Sequence, residues 1–223
     1  MQDRRRRRAT ISTDDTAASR QFVDDYRPED DLLDAARRRG EEIGVTSVSP
    51  ATGATLQWLA QLIGARAVAE VGTGAGVSGL WLLRGMAADG VLTTVDDETE
   101  NTRAARQTFN EAGVPTQRVR LITGRPLDVL SRLADTAYDL VFFDGNPQES
   151  TRYLHEALRL LRLGGLVVFD DALAGGRVAD PAQRDAATIA VRTLINDTRD
   201  DDRIRPVLLP VGDGMLVAQK LAD

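Results

Sequence analysis

From residue 67 to residue 169 the chain alternates short apolar runs with amphipathic stretches, and this rhythm limits the fold more than any other feature. The apolar runs are 67–71, 91–95, 119–123, 138–143 and 165–169. Stretches with helical spacing occupy 77–86, 98–112, 126–133 and 150–161, and another follows the last run at 181–198. Strands that alternate with helices pair in parallel, and their helices cover both faces of the sheet. The predicted fold class is therefore α/β, a Rossmann-like doubly wound sheet. Near the end, 207–209 and 215–218 are two more apolar runs, joined by Pro210-Val211-Gly212-Asp213-Gly214. Five residues cannot hold a crossover helix, so these runs predict a hairpin with an antiparallel strand. The total is seven strands.

Ahead of the first strand the chain reads differently. Residues 1–27 are polar, charged and without period, including the run Arg4 to Arg8, and are expected to form a disordered or extended tail. Residues 28–223 are expected to form a single domain. It opens with two helices over 28–64, the second starting at Ser49-Pro50 with serine as cap and proline just inside.

Composition excludes several chemistries. The 223 residues contain no cysteine, which removes disulfides, thiolate catalysis and cysteine-bound zinc. The net charge is −6, the wrong sign for a broad nucleic-acid face. No apolar run is long enough to span a bilayer. The expectation is a cytoplasmic protein without nucleic-acid or membrane partners.

The segment Glu70-Val71-Gly72-Thr73-Gly74-Ala75-Gly76 follows an apolar strand and opens a helix. Glycines there let a ligand approach the backbone, and free amides at the helix start meet its polar groups. Asp96 ends the next strand, where a carboxylate can meet a ribose diol. Together they predict a cofactor that contains a nucleoside. Gly74 to Gly79 also fits the dinucleotide pattern G-x-G-x-x-G, so an NAD-dependent oxidoreductase is one alternative. Against it stand Glu70, whose charge is unwelcome beside a pyrophosphate, and the helices that precede the first strand. The only lysine, Lys220, lies at the chain's end, which leaves no Tyr–Lys proton relay.

Glu70-x-Gly72-x-Gly74-x-Gly76 with Asp96 resembles the first two motifs of class I methyltransferases, which use S-adenosyl-L-methionine. Further matches are Val48-Ser49-Pro50-Ala51-Thr52-Gly53, Phe142-Phe143-Asp144-Gly145-Asn146, Asp170-Asp171 and Leu209-Pro210-Val211-Gly212-Asp213-Gly214. The series is similar to bacterial O-methyltransferases related to catechol and caffeoyl-CoA O-methyltransferases, over about residues 30–220. The resemblance implies a homodimer that methylates a hydroxyl of a small molecule. It implies cofactor contacts from Val48, Glu70, Gly72, Thr73, Gly74 and Ser78. Asp96 would hold the ribose and Arg125 would lie near the adenine.

Asp144, Asp170 and Asp171 follow the fourth and fifth strands. The resemblance implies that they bind Mg²⁺ or another divalent cation, with Asp144 catalytic; the alternative is that they cap helices and brace turns. Three residues depart from the family's pattern. Pro147 stands where a lysine is common, Asp171 where an asparagine is common, and Ala174 where an aromatic would cover a planar acceptor. A protein that binds the cofactor with weak or lost catalysis is the second alternative. His155, the only histidine, is expected to be a solvated helix residue, and Trp58 and Trp81 core or subunit contacts.

Overall fold

The computed structural model describes residues 13–223, with side chains from residue 17 onward. The described elements are α1 (Thr13–Asp25), α2 (Asp31–Glu42), α3 (Pro50–Leu62), β1 (Ala67–Val71), α4 (Val77–Gly85), β2 (Val91–Asp96), α5 (Thr99–Glu111), β3 (Val119–Thr123), α6 (Pro126–Leu130), β4 (Tyr138–Phe143), α7 (Ser150–Leu160), β5 (Leu161–Phe169), α8 (Ala186–Asp200), β6 (Ile204–Leu209) and β7 (Met215–Lys220).

Seven strands form one sheet in the order β3-β2-β1-β4-β5-β7-β6. The pairs from β3 through β5 are parallel. The predicted hairpin places β7 antiparallel between β5 and β6. The pleat sends alternate residues to opposite faces. Val68, Leu140 and Phe142 join the core shared with α2 to α5, while Ala69, Val141 and Phe143 join the core shared with α7 and α8. β1 lies between β2 and β4, so the strand order reverses beside it and a crevice opens past its carboxyl end.

Two elements differ from the sequence reading. The tail expected over 1–27 contains α1, a helix from Thr13 to Asp25. Its Phe22 and Val23 stay exposed, so burial of an apolar stripe, the signal that marks a helix in sequence, is weak. A tertiary contact replaces it, because Asp24 Oδ1 accepts from Ala51 N, a free amide in the first turn of α3, at 3.2 Å. The run Arg4 to Arg8 lies outside the described residues. The last helix begins at Ala186 rather than at Pro181. Asp185 caps it, accepting from Thr188 N at 3.0 Å and from the Thr188 hydroxyl at 2.7 Å, and this outweighs the start signal of the proline. The cap at Ser49 forms as expected, accepting from Thr52 N at 3.2 Å.

Candidate active site

The glycine loop turns from β1 into α4. Gly72, Gly74 and Gly76 have φ of +93°, +49° and +87°, a region that side chains disfavour. At Gly72 space is limiting as well, since a Cβ would lie 1.9 Å from the Asp144 carbonyl oxygen. The loop borders a cavity of about 150 Å³ lined by Val48, Thr73, Gly74, Ser78, Asp96 and Asp144. An adjoining cavity of about 360 Å³ runs past Asp97, Arg125, Leu127 and Tyr153. The two share Gly72, Asp96, Asn101 and Asp144, so one elongated ligand can occupy both.

Asp96 organises the space between them. One carboxylate oxygen accepts from Gly74 N at 2.9 Å, and the other accepts from Glu98 N at 3.0 Å. Asn101 Nδ2 donates to both oxygens, at 3.1 and 3.2 Å. The residue expected to hold a ribose thus also ties the loop to the end of β2. Asn101 was not among the expected site residues; its signal is an amide side chain in the first turn of α5, five residues after Asp96.

Glu70 was expected to contact the cofactor. It is fully buried beneath the loop and lines neither cavity. Its Oε2 accepts from the Thr94 hydroxyl at 2.6 Å, and that hydroxyl lies 2.7 Å from the Thr73 hydroxyl. Burial pushes its carboxyl up to about 7, against the hydrogen bonds from Thr94 and Ser78. Glu70 therefore supports Thr73 through Thr94, a residue the sequence did not single out.

Asp144 follows β4, while Asp170 and Asp171 follow β5. With Asp213 of the hairpin they meet in a third cleft of about 540 Å³, lined also by Val23, Val48 and Val211. Burial first, then the charges of Asp171 and Glu70, raises Asp144 to about 7. Burial first, then the charge of Asp144, raises Asp170 to about 8. Burial and Asp213 raise Asp171. Asp170 Oδ1 is buried with no hydrogen-bond partner. In donor chemistry and charge the set suits a divalent cation. In position it does not: among the described residues no three acidic or histidine side chains form a group that could hold a metal ion. Asp171 has φ of +53°.

Other expected residues sort plainly. His155 is exposed on α7. Trp81 is buried, and its Nε1 donates to Glu29 at 3.1 Å, whereas Trp58 is 57% exposed and is not a core residue. Lys220 is buried, its Nζ donating to Leu161 O at 3.0 Å and paired with Asp223 at 2.7 Å. No proton relay forms there.

A doubly wound sheet with a reversed seventh strand, a glycine loop at the switch point and carboxylates past the parallel strands defines a Rossmann-like methyltransferase domain. The O-methyltransferase family model matches residues 29–221. An O-methyltransferase of Mycobacterium marinum is 55% identical over 190 residues, 85% of each chain. Among solved structures, a Corynebacterium glutamicum protein is 34% identical with a TM-score of 0.86, covering 93% of this chain and 98% of its own. TomG of Streptomyces achromogenes, an O-methyltransferase of tomaymycin synthesis solved with S-adenosylmethionine, is 31% identical with a TM-score of 0.83, over 92% and 96%. The chain belongs to the O-methyltransferase family.

Proposed function

We propose that this chain transfers the methyl group of S-adenosylmethionine to a hydroxyl of a small molecule. The observation that carries the reading is the position of Asp144, which borders the loop cavity, the Arg125 cavity and the carboxylate cleft at once. The cavities suit the cofactor: Thr73, Gly74 and Ser78 face its amino-acid end, Asp96 its ribose, and Arg125 and Leu127 its adenine. TomG was solved with this cofactor and a Bacillus cereus relative with S-adenosylhomocysteine, which supports the assignment.

When bound, the cofactor supplies an electrophilic methyl group; the sulfur–carbon bond breaks as the oxygen–carbon bond forms. The residues of this chain contribute alignment and removal of a proton. The loop holds one reactant, and the cleft past Asp170 and Asp171 holds the acceptor. Asp144, raised to about 7, is ionised in a substantial fraction near neutral pH and accepts the hydroxyl proton. Pro147 cannot take this role.

A divalent cation is a further part of the proposal, supported by the unpartnered Asp170 oxygen and the mutual repulsion of the acids. To hold it, Asp144, Asp170 and Asp171 would have to draw closer together than they lie here, and none of the steps above depends on it. We also propose a homodimer, with exposed Trp58 and Leu62 one turn apart on α3 as contact residues, and a cytoplasmic location, in keeping with the lack of cysteine. No helix among the described residues is long and apolar enough to cross a membrane. Calorimetric titration with S-adenosylhomocysteine and with NAD tests the cofactor. Micromolar binding of the first and none of the second is expected, and the reverse would overturn the reading.

A further inference from the structure

Behind the carboxylates lies a chamber of about 350 Å³ that the reaction described above does not need. Its wall includes three rings in a row. Tyr153 and Phe143 stack at 4.9 Å and 13°, and Phe143 and Phe169 at 4.9 Å and 18°. Ala172, Ala174 and Ala187 leave the space beside these rings open. Ser150, only 5% exposed at the start of α7, borders the chamber, and its hydroxyl is buried with no hydrogen-bond partner.

An aromatic wall with a buried, unsatisfied hydroxyl is an uncommon combination, because such a group costs free energy unless a ligand or water meets it. Asp144, Asp170 and Asp171 line both this chamber and the carboxylate cleft, so the two spaces adjoin. Pro147 and Ala174, two of the three departures from the family's pattern, border the chamber as well.

We infer that the chamber holds the body of the acceptor: a planar apolar group about one aromatic ring larger than a catechol, with a hydrogen-bonding atom directed at Ser150. The reactive hydroxyl stays at Asp144 while the second ring occupies the space lined by Ala174, Ala187 and the edge of the stacked rings. This deepens the methyltransferase reading and rests on it. The preferred acceptors are then hydroxylated fused-ring or multi-ring aromatics rather than single-ring catechols.

The test compares catechol, 2,3-dihydroxynaphthalene and naphthalene-2,3,6-triol, titrated into the full-length protein saturated with S-adenosylhomocysteine. The naphthalenediol is expected to bind at least tenfold more tightly than catechol. Ala187→Phe, which fills the chamber from α8, should reduce that ratio to within about twofold of unity. Ala187→Leu should give an intermediate ratio. Ser150→Ala should remove any extra affinity of the triol over the diol. Equal affinity for catechol and the naphthalenediol overturns the inference, as does an unchanged ratio in Ala187→Phe, or failure of either diol to bind. The affinity for S-adenosylhomocysteine and the melting temperature of each variant, measured on the same samples, report on the cofactor reading and on folding separately.

Discussion

Gly72 and Asp144 touch through their backbones. A Cβ on Gly72 would lie 1.9 Å from the Asp144 carbonyl oxygen, and Asp144 N donates to Val71 O at 2.9 Å. The residue that begins the cofactor loop is thus packed directly on the residue assigned to the acceptor proton.

The first prediction concerns this contact. Gly72→Ala meets both a φ of +93° and a backbone atom that cannot move aside. The expected cost is on the order of 4 kcal/mol of stability, the range of severe backbone clashes. Affinity for S-adenosylhomocysteine should fall at least a hundredfold in whatever fraction folds. Thermal melting and calorimetry check this, and an affinity within threefold of wild type would contradict it.

A second prediction concerns the loop's support. Thr94→Val removes the hydroxyl that joins Glu70 to Thr73 at 2.6 and 2.7 Å. It leaves a buried carboxyl with fewer donors, at a cost of about 1–3 kcal/mol. The affinity for S-adenosylhomocysteine should fall about tenfold, whereas Thr94→Ser should keep most of it. If valine and serine behave alike, Glu70 does not act through this hydroxyl.

Asp96 should be more sensitive than an ordinary ribose contact, because it also holds Gly74 N, Glu98 N and Asn101. Asp96→Ala is expected to lose about 1–3 kcal/mol of stability in addition to cofactor affinity. Unfolding in urea of the ligand-free protein isolates the structural part. An unchanged midpoint would show that these bonds contribute nothing in the absence of ligand.

The carboxylates set a pH dependence. Asp144 and Asp170 rise from an ordinary 3.8 to about 7 and about 8, and Glu70 from 4.5 to about 7. Between roughly pH 4 and pH 8 the folded protein binds more protons than the unfolded chain. Stability due to these groups is full below pH 4 and is lost as the pH climbs through 7 and 8. The melting temperature of the ligand-free protein should therefore fall from pH 6 to pH 8, and Asp170→Asn should flatten that slope. If the acids bind a cation, millimolar Mg²⁺ should raise the melting temperature more at pH 8 than at pH 6, and a chelator should reverse the gain. No Mg²⁺ effect at either pH would remove the cation from the proposal.

The sheet was legible because its strands carry their own evidence. Runs such as Tyr138 to Phe143 are apolar at nearly every position, as strands covered on both faces must be. The short link from Pro210 to Gly214 admits only a hairpin. Helix α1 was not legible, since Phe22 and Val23 stay exposed and a contact such as that of Asp24 with an amide of a distant helix leaves no periodic signal in the sequence. The positions of Gly72, Asp96 and Asp144 at the crevice follow from strand order. That Glu70 would turn under the loop does not, because a carboxylate at a strand end has the same spacing in either orientation. Asp213 was missed for a related reason: it reaches its cavity from an element distant in sequence.

Lys220 has a consequence outside the active site. It is the chain's only lysine, and its ammonium is enclosed between β5 and the carboxylate of Asp223. Among the described residues, every lysine or arginine side chain on the surface is therefore an arginine. Reagents and enzymes that modify lysine side chains find no accessible lysine on the folded protein. Reaction at Lys220 would report opening of the last strand.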